Sequence, residues 1–594
     1  MKGTIATVII LAMLVLDSSF ISAAPSAAPA INSPVDLRGI YIYTNDISQL
    51  TVASAGQLTS ALGVDGVDGV NLVFGWDSIE PRSGIYQWDA SNGLSWSSAT
   101  TYVRGDEVSS GPEIYVSLND GNLGHSPVPG KGNWQSTNTY LLGDEVNFNQ
   151  YTYVSLTNGN IGNQPNQGCT TDCTAWQPVW NAVGTNKNLL DEWIASAINS
   201  NKKIALTVPA GSSIPSWLFQ VGAKPLNFTI SPHAGVTGVC QAETIAAPWD
   251  PAFLTQWDAM LAALANHLKT TFVNGESEYD AIQTLRLTGI NRTTEELRLP
   301  AETPQSTGLS CVSDAIATWQ AAHYKPSRLL KGWNSITDSF INSFPDKSFS
   351  VSIIPQDPFP PIDDHGQVIM GQVPDQNHAL IKSASEKLPG RLVVQFDFLL
   401  PGDPASAVVL KYAHNLGTLA AFQTNEWLGG QGAACTGQIG SPTNPPMPCA
   451  TSDDYLALLN TGIYPKGQNK ILRAQYIEVF RANVNAFPPA IQTGHEELIT
   501  SPFVALTFPD PPAGGYTAPV TGSFTASSAV AVDIKKITCR HASVTNVVGL
   551  DTINASATVT VSTAGDPVRV SCTATDVDGN RGRSLRLMVI NPGP

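Results

Sequence analysis

The sequence has 594 residues, too many for one ordinary domain, so about three or four structural units with a sizeable buried core are expected. Its 48 acidic against 32 basic residues leave a formal charge of −16, which argues against nucleic acid or an anionic membrane surface as partner. Nine scattered histidines form no HExxH-type cluster, and neither a strand-linked GxGxxG nor a P-loop occurs, so no metal and no cofactor are implied.

The chain opens on Lys2, an apolar run over residues 7–16 and small residues at Ser22, Ala23 and Ala24. This is the pattern of a secretory signal peptide, residues 1–23. Residues 24–34 belong to a low-complexity tether. No later run is long enough to span a bilayer. The eight cysteines fall in close pairs along the chain: Cys169 with Cys173, Cys240 with Cys311, Cys435 with Cys449, and Cys539 with Cys572. In an exported protein they are expected as disulfides, and the first pair lacks the second CxxC or HxxxH of a zinc site.

Residues 37–43 read as a first strand and 53–62 as a helix. Val70, Leu72 and Phe74 then alternate in a short apolar run that fits a buried parallel strand ending at Gly75. A loop follows with Trp76, Ile79, Glu80, Pro81, Gly84, Tyr86, Trp88 and Asp89. Between residues 96 and 180 the barrel-like pattern stops and a second one appears twice. Gly-Asp-Glu-Val recurs at 105 and 143, Tyr-Val-Ser-Leu at 115 and 153, Gly-Asn at 121 and 159, Pro at 127 and 165, and a closing Trp at 134 and 176.

Strand and helix patterns resume at residue 188. Further strands are read at 203–208, 282–288, 349–354, 391–398, 418–424 and 476–480, with helices at 190–198, 251–272, 331–344, 377–387, 405–415 and 454–459 between them. Eight strands alternating with helices predict an α/β fold, a (β/α)8 TIM barrel. From residue 502 short β-branched runs separated by turn residues predict an all-β sandwich. Asp576, Asp578 and Asn580 lack the rest of a calcium loop and read as a polar turn.

The loop after the second strand resembles the W-x-x-I-E-P-x-x-G-x-Y-x-W-D signature of clan A glycoside hydrolases, chiefly their beta-galactosidase-like and cellulase-like members. Pro215, Trp217 and Leu218 match the P-x-W-L found after the third strand of the same enzymes. The duplicated segment resembles the small chitin- and cellulose-binding modules of families five and twelve. Residues 514–527 and 572–582 resemble immunoglobulin-like modules of bacterial secreted enzymes, with Cys539 and Cys572 expected to link the two sheets. The expected organisation is a barrel over 35–95 and 181–500, two carbohydrate-binding-like repeats over 96–180, and an immunoglobulin-like β-sandwich over 501–594.

These resemblances imply a secreted, retaining hydrolase of β-linked polysaccharide that uses two glutamates. Barrel enzymes act at the C-terminal ends of their strands. Glu426, just past the seventh strand and flanked by Asn425 and Trp427, matches the nucleophile position. The acid/base belongs after the fourth strand, where Glu295 is the first choice and Glu296 the alternative. The family's Asn directly before Glu is missing there; Asn291 stands four residues before Glu295. That gap keeps a second reading open, a non-catalytic carbohydrate-binding surface protein on a degenerate barrel.

Substrate contacts are expected from Arg38, Trp76, Glu80, Trp217, Asn291, Asp397, Asn425 and Trp427. Arg38 matches a barrel-floor arginine that bonds the nucleophile, with a structural ion pair as the equal alternative. Asp357 is a further candidate, and Glu478 on the eighth strand is open between catalysis and charge compensation. In the repeats, Trp96, Tyr102, Trp134, Tyr140, Trp176 and Trp180 are the candidates for stacking on sugar rings. For any one of them a core position in a small sheet is the ordinary alternative.

Overall fold

The computed structural model describes residues 36–88, 96–103, 107–110, 113–119, 121–127, 132–148, 151–165, 175–184, 189–231, 240–292, 294–354, 359–369, 376–400, 408–424, 434–436, 447–465, 472–509 and 514–593. Eight parallel strands close into a barrel: β1 (Gly39–Asp46), β2 (Val67–Val73), β3 (Lys203–Thr207), β4 (Ile282–Arg286), β5 (Ser348–Ile353), β6 (Leu392–Leu399), β7 (Leu419–Thr424) and β8 (Ala474–Phe480). β8 pairs in register with β1, Gly39 opposite Tyr476 and Tyr43 opposite Phe480, which completes the ring.

Helices cover the outside because one face of each strand and one stripe of each helix are apolar. The helix Pro251–Thr270 is capped by the Asp250 carboxylate, which accepts from the Ala252 (2.9 Å) and Phe253 (3.3 Å) amides. It buries Phe253, Trp257, Met260, Leu261, Leu264 and Leu268 against the barrel. Each such side chain contributes roughly 1.5–3 kcal/mol on burial. The helix expected at 331–344 begins earlier, at Pro326, because proline is pre-set for the first turn. No helix among the described residues is long and apolar enough to cross a membrane.

Inside the barrel, residues two apart share a face, and two layers of different chemistry result. Tyr41, Ala205, Val393, Ala421 and Tyr476 form an apolar floor with Leu37. The Tyr41 ring lies against Gly69, where a Cβ would collide with it. One step nearer the C-terminal ends come Tyr43, Thr207, Arg286, Gln395, Gln423 and Glu478, a polar layer. A barrel interior is normally filled by branched aliphatic side chains.

The duplicated segment forms one unit. Its central sheet runs in the order Glu107–Ser110, Glu113–Ser117, Trp176–Gly184, Tyr151–Ser155, Glu145–Phe148. The middle strand is shared: Trp180 packs on Tyr102 (ring centroids 5.3 Å) in one half and Trp176 on Tyr140 (5.1 Å) in the other. Trp134 packs in the second half's core beside Phe148. It occupies the place that Trp96 has in the first, so Trp134 opens the second half rather than closing the first.

Tyr102, Tyr140, Trp176 and Trp180 are buried, and Trp96 and Trp134 are partly buried against them. The expected sugar-stacking role of Tyr102, Tyr140, Trp176 and Trp180 is therefore corrected. A small sheet has few other apolar side chains with which to build a core, and the rings are consumed in it.

The chain leaves and re-enters the barrel at adjacent points. The Asp191 amide donates to the Trp88 carbonyl (3.0 Å), and Trp88 stacks on His267, which bonds Asp191 (2.8 Å). Excising residues 89–188 and joining the ends by a short Gly-Ser linker should therefore leave the barrel's urea midpoint within a few tenths molar of the parent. Loss of the folded barrel would show that the insertion carries part of its core.

The C-terminal unit packs two four-stranded sheets around one apolar core that includes Phe524, Val559, Val570 and Cys572. Cys539 and Cys572 are disulfide-bonded, yet they face each other on neighbouring strands of one sheet. The expected link between sheets is thus corrected: antiparallel pairing sets the two cysteines side by side. Opening this bond with Cys539→Ser/Cys572→Ser should destabilise the unit by about 2–5 kcal/mol and leave the barrel's transition in place, as measured by differential calorimetry. Cys240–Cys311 and Cys435–Cys449 are also disulfides, while Cys169 and Cys173 lie outside the described residues. Three disulfides are consistent with an extracellular protein. Asp576 accepts from the Asn580 amide (2.8 Å) and side chain (3.0 Å), closing a polar turn.

Candidate active site

Six strands and one loop bring their polar side chains together in the upper barrel. Arg286 ends β4 and is the hub: its guanidinium donates to Glu295 (3.2 Å), Glu478 (2.6 Å) and Gln395 (2.8 Å). Gln395 donates in turn to Asp397 (2.8 Å) and Glu478 (2.8 Å), and Gln423 also donates to Glu478 (3.2 Å). The Ser352 hydroxyl donates to Asp397, and the Tyr43 hydroxyl to Glu295 Oε2 (2.9 Å). One cation thus faces three carboxyl groups, all nearly removed from water.

One arginine cannot neutralise three buried carboxylates, so protonation shares the charge. Burial pushes the Glu295 carboxyl up to about 7, reinforced by Glu296 and Glu478 against the pull of Arg286. Burial also raises Asp397 well above the carboxylate range, with Arg286 opposing and Glu296, Glu295 and Glu478 adding to it. The Tyr43 hydroxyl is raised by burial and by Glu295 and Glu296, against Arg286, so it stays a donor.

The loop that carries Glu295 is held rigidly. The Asn291 side chain accepts from the Gly289 (3.1 Å) and Ala210 (3.3 Å) amides and donates to the Arg292 and Thr294 carbonyls (3.1 Å each). Gly211, at φ +45°, presses against the Arg292 carbonyl, where a Cβ would collide. Arg292 pairs with Glu302 (3.1 Å) and Glu243 (3.5 Å). Asn291 is therefore a brace of the loop, in place of the expected substrate contact. Glu295 is hydrogen-bonded into the network, while Glu296 bonds Thr294 and pairs with Arg298 (3.6 Å), near enough for its charge to raise Glu295 and Asp397.

Other expected contacts fall elsewhere. Trp76 is fully buried, donates to its own loop's Glu80 (2.8 Å) and packs on Trp217, Phe253 and Trp257. Glu80 also accepts from the Gly84 amide (2.7 Å), and Trp217 donates to the Glu80 carbonyl (2.8 Å). This trio is a self-satisfied piece of core with no face left for a sugar, which corrects its assignment to the substrate. For Arg38 the structure shows the structural ion pair and corrects the nucleophile contact. Arg38 precedes β1 and pairs with Asp36 (2.6 Å) and the Ser501 carbonyl, at the end of the barrel opposite Glu295. Asp357, Asn425, Glu426 and Trp427 lie outside the described residues.

Arg286, Gln395, Gln423 and Tyr43 were not singled out from the sequence. Their signal was there: a polar residue on the inward register of an otherwise apolar strand. Among the described residues the three metal-capable groups that meet are Asp191, His267 and Glu278, with donor atoms within 4.8 Å of one another. They sit at the clasp of the insertion, away from Glu295.

No family model matches the sequence, and no curated protein sequence is similar to it. Among solved structures, a beta-galactosidase from the psychrophilic Marinomonas ef1 is similar at 10% identity and a TM-score of 0.35, over 77% of this chain and 59% of that one. An exo-beta-1,4-mannosidase from Opitutaceae bacterium strain TAV5 reaches 10% and 0.31, over 78% and 61%. A psychrophilic glycoside hydrolase family 10 endo-beta-1,4-xylanase reaches 10% and 0.25, over 50% and 72%. The chain thus spans about three fifths of the length of the first two. Likeness at these scores carries no functional argument.

Proposed function

We propose that the protein is a secreted, retaining glycoside hydrolase acting on β-linked polysaccharide, with Glu295 as acid/base and Glu426 as nucleophile. The observation that carries this reading is the Glu295 carboxyl, aimed into the upper barrel by Arg286 and Tyr43 and raised to about 7. A general acid is most useful with a pKa near the working pH. The position of Glu426, two residues after the described end of β7, supports the second role.

In the first step Glu426 attacks the anomeric carbon while Glu295 gives its proton to the departing glycosidic oxygen, leaving a glycosyl-enzyme ester. Esterification removes the Glu426 charge as deprotonation places one on Glu295, so the site's net charge is unchanged. In the second step the Glu295 carboxylate takes a proton from water, whose oxygen displaces Glu426 and restores both carboxyl groups. Asp397 and Glu478 act through Arg286 and Gln395 by setting the charge around Glu295.

A release assay on β-glucan, chitin and bacterial exopolysaccharide, with product configuration read by NMR, tests the reading. Glu426→Gln should fold normally and lose nearly all turnover, since an amide is a poor nucleophile. Wild-type activity in that variant would remove Glu426 from the mechanism. The rival, a binding protein on a degenerate barrel, draws on the near-complete enclosure of Glu295, 2% exposed; binding without turnover on every polymer would favour it.

A further inference from the structure

At the opposite end of the barrel, the N-terminal ends of β7 and β8 and the residues before β1 face one sheet of the C-terminal unit across a cavity of about 730 Å³. In a chain with more acids than bases, seven lining residues are Arg or Lys and, among the described residues, none is Asp or Glu. Arg38 is neutralised by Asp36 (2.6 Å). Arg540, Arg583 and Arg586 have no carboxylate partner among the described residues. Arg583 donates to the Ser571 hydroxyl (2.7 Å) and Arg586 to the Leu506 carbonyl (2.9 Å), neutral groups that leave the charges uncompensated.

Three polar atoms on the wall are cut off from solvent and unpartnered among the described residues: Arg586 Nη1, His414 Nε2 and Thr418 Oγ1. Thr418 is only 4% exposed. Gly390, at φ +70°, leaves the space that the Arg586 guanidinium occupies; any side chain there would collide with it. The positive field registers on neighbouring groups. Burial, then Arg583 and Arg569, lower His414 to about 4, and burial, then Arg569 and Arg540, lower Arg583. Holding like charges together without a counterion is costly, and charge-assisted bonds to an oxyanion would relieve that cost.

We propose that this interdomain cavity binds an oligoanion, a ligand with two or more phosphate, sulfate or carboxylate groups, and that the ligand ties the C-terminal unit to the barrel floor. The volume lies in the range of small-ligand sites, about 300–1,000 Å³, and exceeds the needs of a single oxyanion. The proposal does not depend on the hydrolase reading, because the cavity and Glu295 are at opposite ends of the strands.

The test is isothermal titration calorimetry of the full chain with tripolyphosphate and with trigalacturonate, using cellotriose as the neutral control. At low salt at least one oligoanion should bind in the micromolar range and weaken as salt rises, and whichever binds identifies the source as phosphate or acidic glycan. Arg540→Ala/Arg583→Ala alters two exposed residues and should weaken binding at least tenfold. Thr418→Val probes the buried end and should weaken it severalfold. No heat from either oligoanion at millimolar concentration, equal binding of cellotriose, or wild-type affinity in the double variant would overturn the proposal.

Discussion

Glu295→Ala should lose about 10²–10⁴-fold in turnover of unactivated glycosides, retain formation of the glycosyl-enzyme from substrates with very good leaving groups, and regain turnover when azide is added. Good leaving groups depart without a proton, so the first step survives. Azide attacks the anomeric carbon without needing a base, displaces Glu426 and leaves as the glycosyl azide with retained configuration. Glu296→Ala should do neither, since Glu296 bonds Thr294 and Arg298 rather than Arg286 and Tyr43. The pH profile gives a second readout. A general acid must be protonated, and Glu295 is raised to about 7, so wild-type activity should fall above that pH, and the azide reaction of Glu295→Ala should lack that limb. Rescue confined to Glu296→Ala would reverse the two roles, and full activity in both variants would remove the strand-four loop from the chemistry.

Arg286→Met should destabilise the barrel by about 3–5 kcal/mol, the largest stability effect expected of a single substitution here. The arginine is the common donor to Glu295, Gln395 and Glu478, and its loss strands buried carboxyl groups without a cation. The pH dependence fixes the sign. A carboxyl whose folded pKa lies above its unfolded value favours folding at low pH, and that contribution is lost as pH rises through the folded pKa. Glu295 and Asp397 are already raised, and removing Arg286 raises them further. The destabilisation should thus be smaller at pH 5 than at pH 8, as read by urea denaturation. Adding Glu478→Met should recover much of it, because a stranded charge costs more than an apolar pair. A deficit under 1 kcal/mol at pH 8 would show that Arg286 is not the counterion of the network.

The eight strands could be read in order because a parallel strand buried on both faces is a short apolar run, and the helices between them repeat every three to four residues. The β6 segment was read at 391–398 and spans Leu392–Leu399. Residue type could not separate Glu295 from Glu296, and the first choice rested on loop position alone; the partners of each side chain came from the loop's packing. Trp76, Glu80 and Trp217 were read as a sugar-binding rim from a linear signature, yet indole N–H and carboxylate satisfy one another and leave water together. The sugar-stacking aromatics failed for a related reason: a ring suited to stacking on a sugar is equally suited to filling a two-layer core.

By itself the sequence determined the alternation of strands and helices, the duplication of residues 96–180 and the all-β texture of the C-terminal segment, because each is carried by local periodicity; the pairing of Cys240 with Cys311, Cys435 with Cys449 and Cys539 with Cys572 was suggested by order along the chain and fixed by the fold. Only the tertiary structure decided that Arg286 joins Glu295, Gln395 and Glu478, residues up to 192 positions away. It also decided that Arg38 serves the floor and that, among the described residues, the cavity beside it is lined by bases without acids. Barrel closure sets these partners, since β1 and β8 meet only when all eight strands are in register, and no window along the chain contains both sides of that contact.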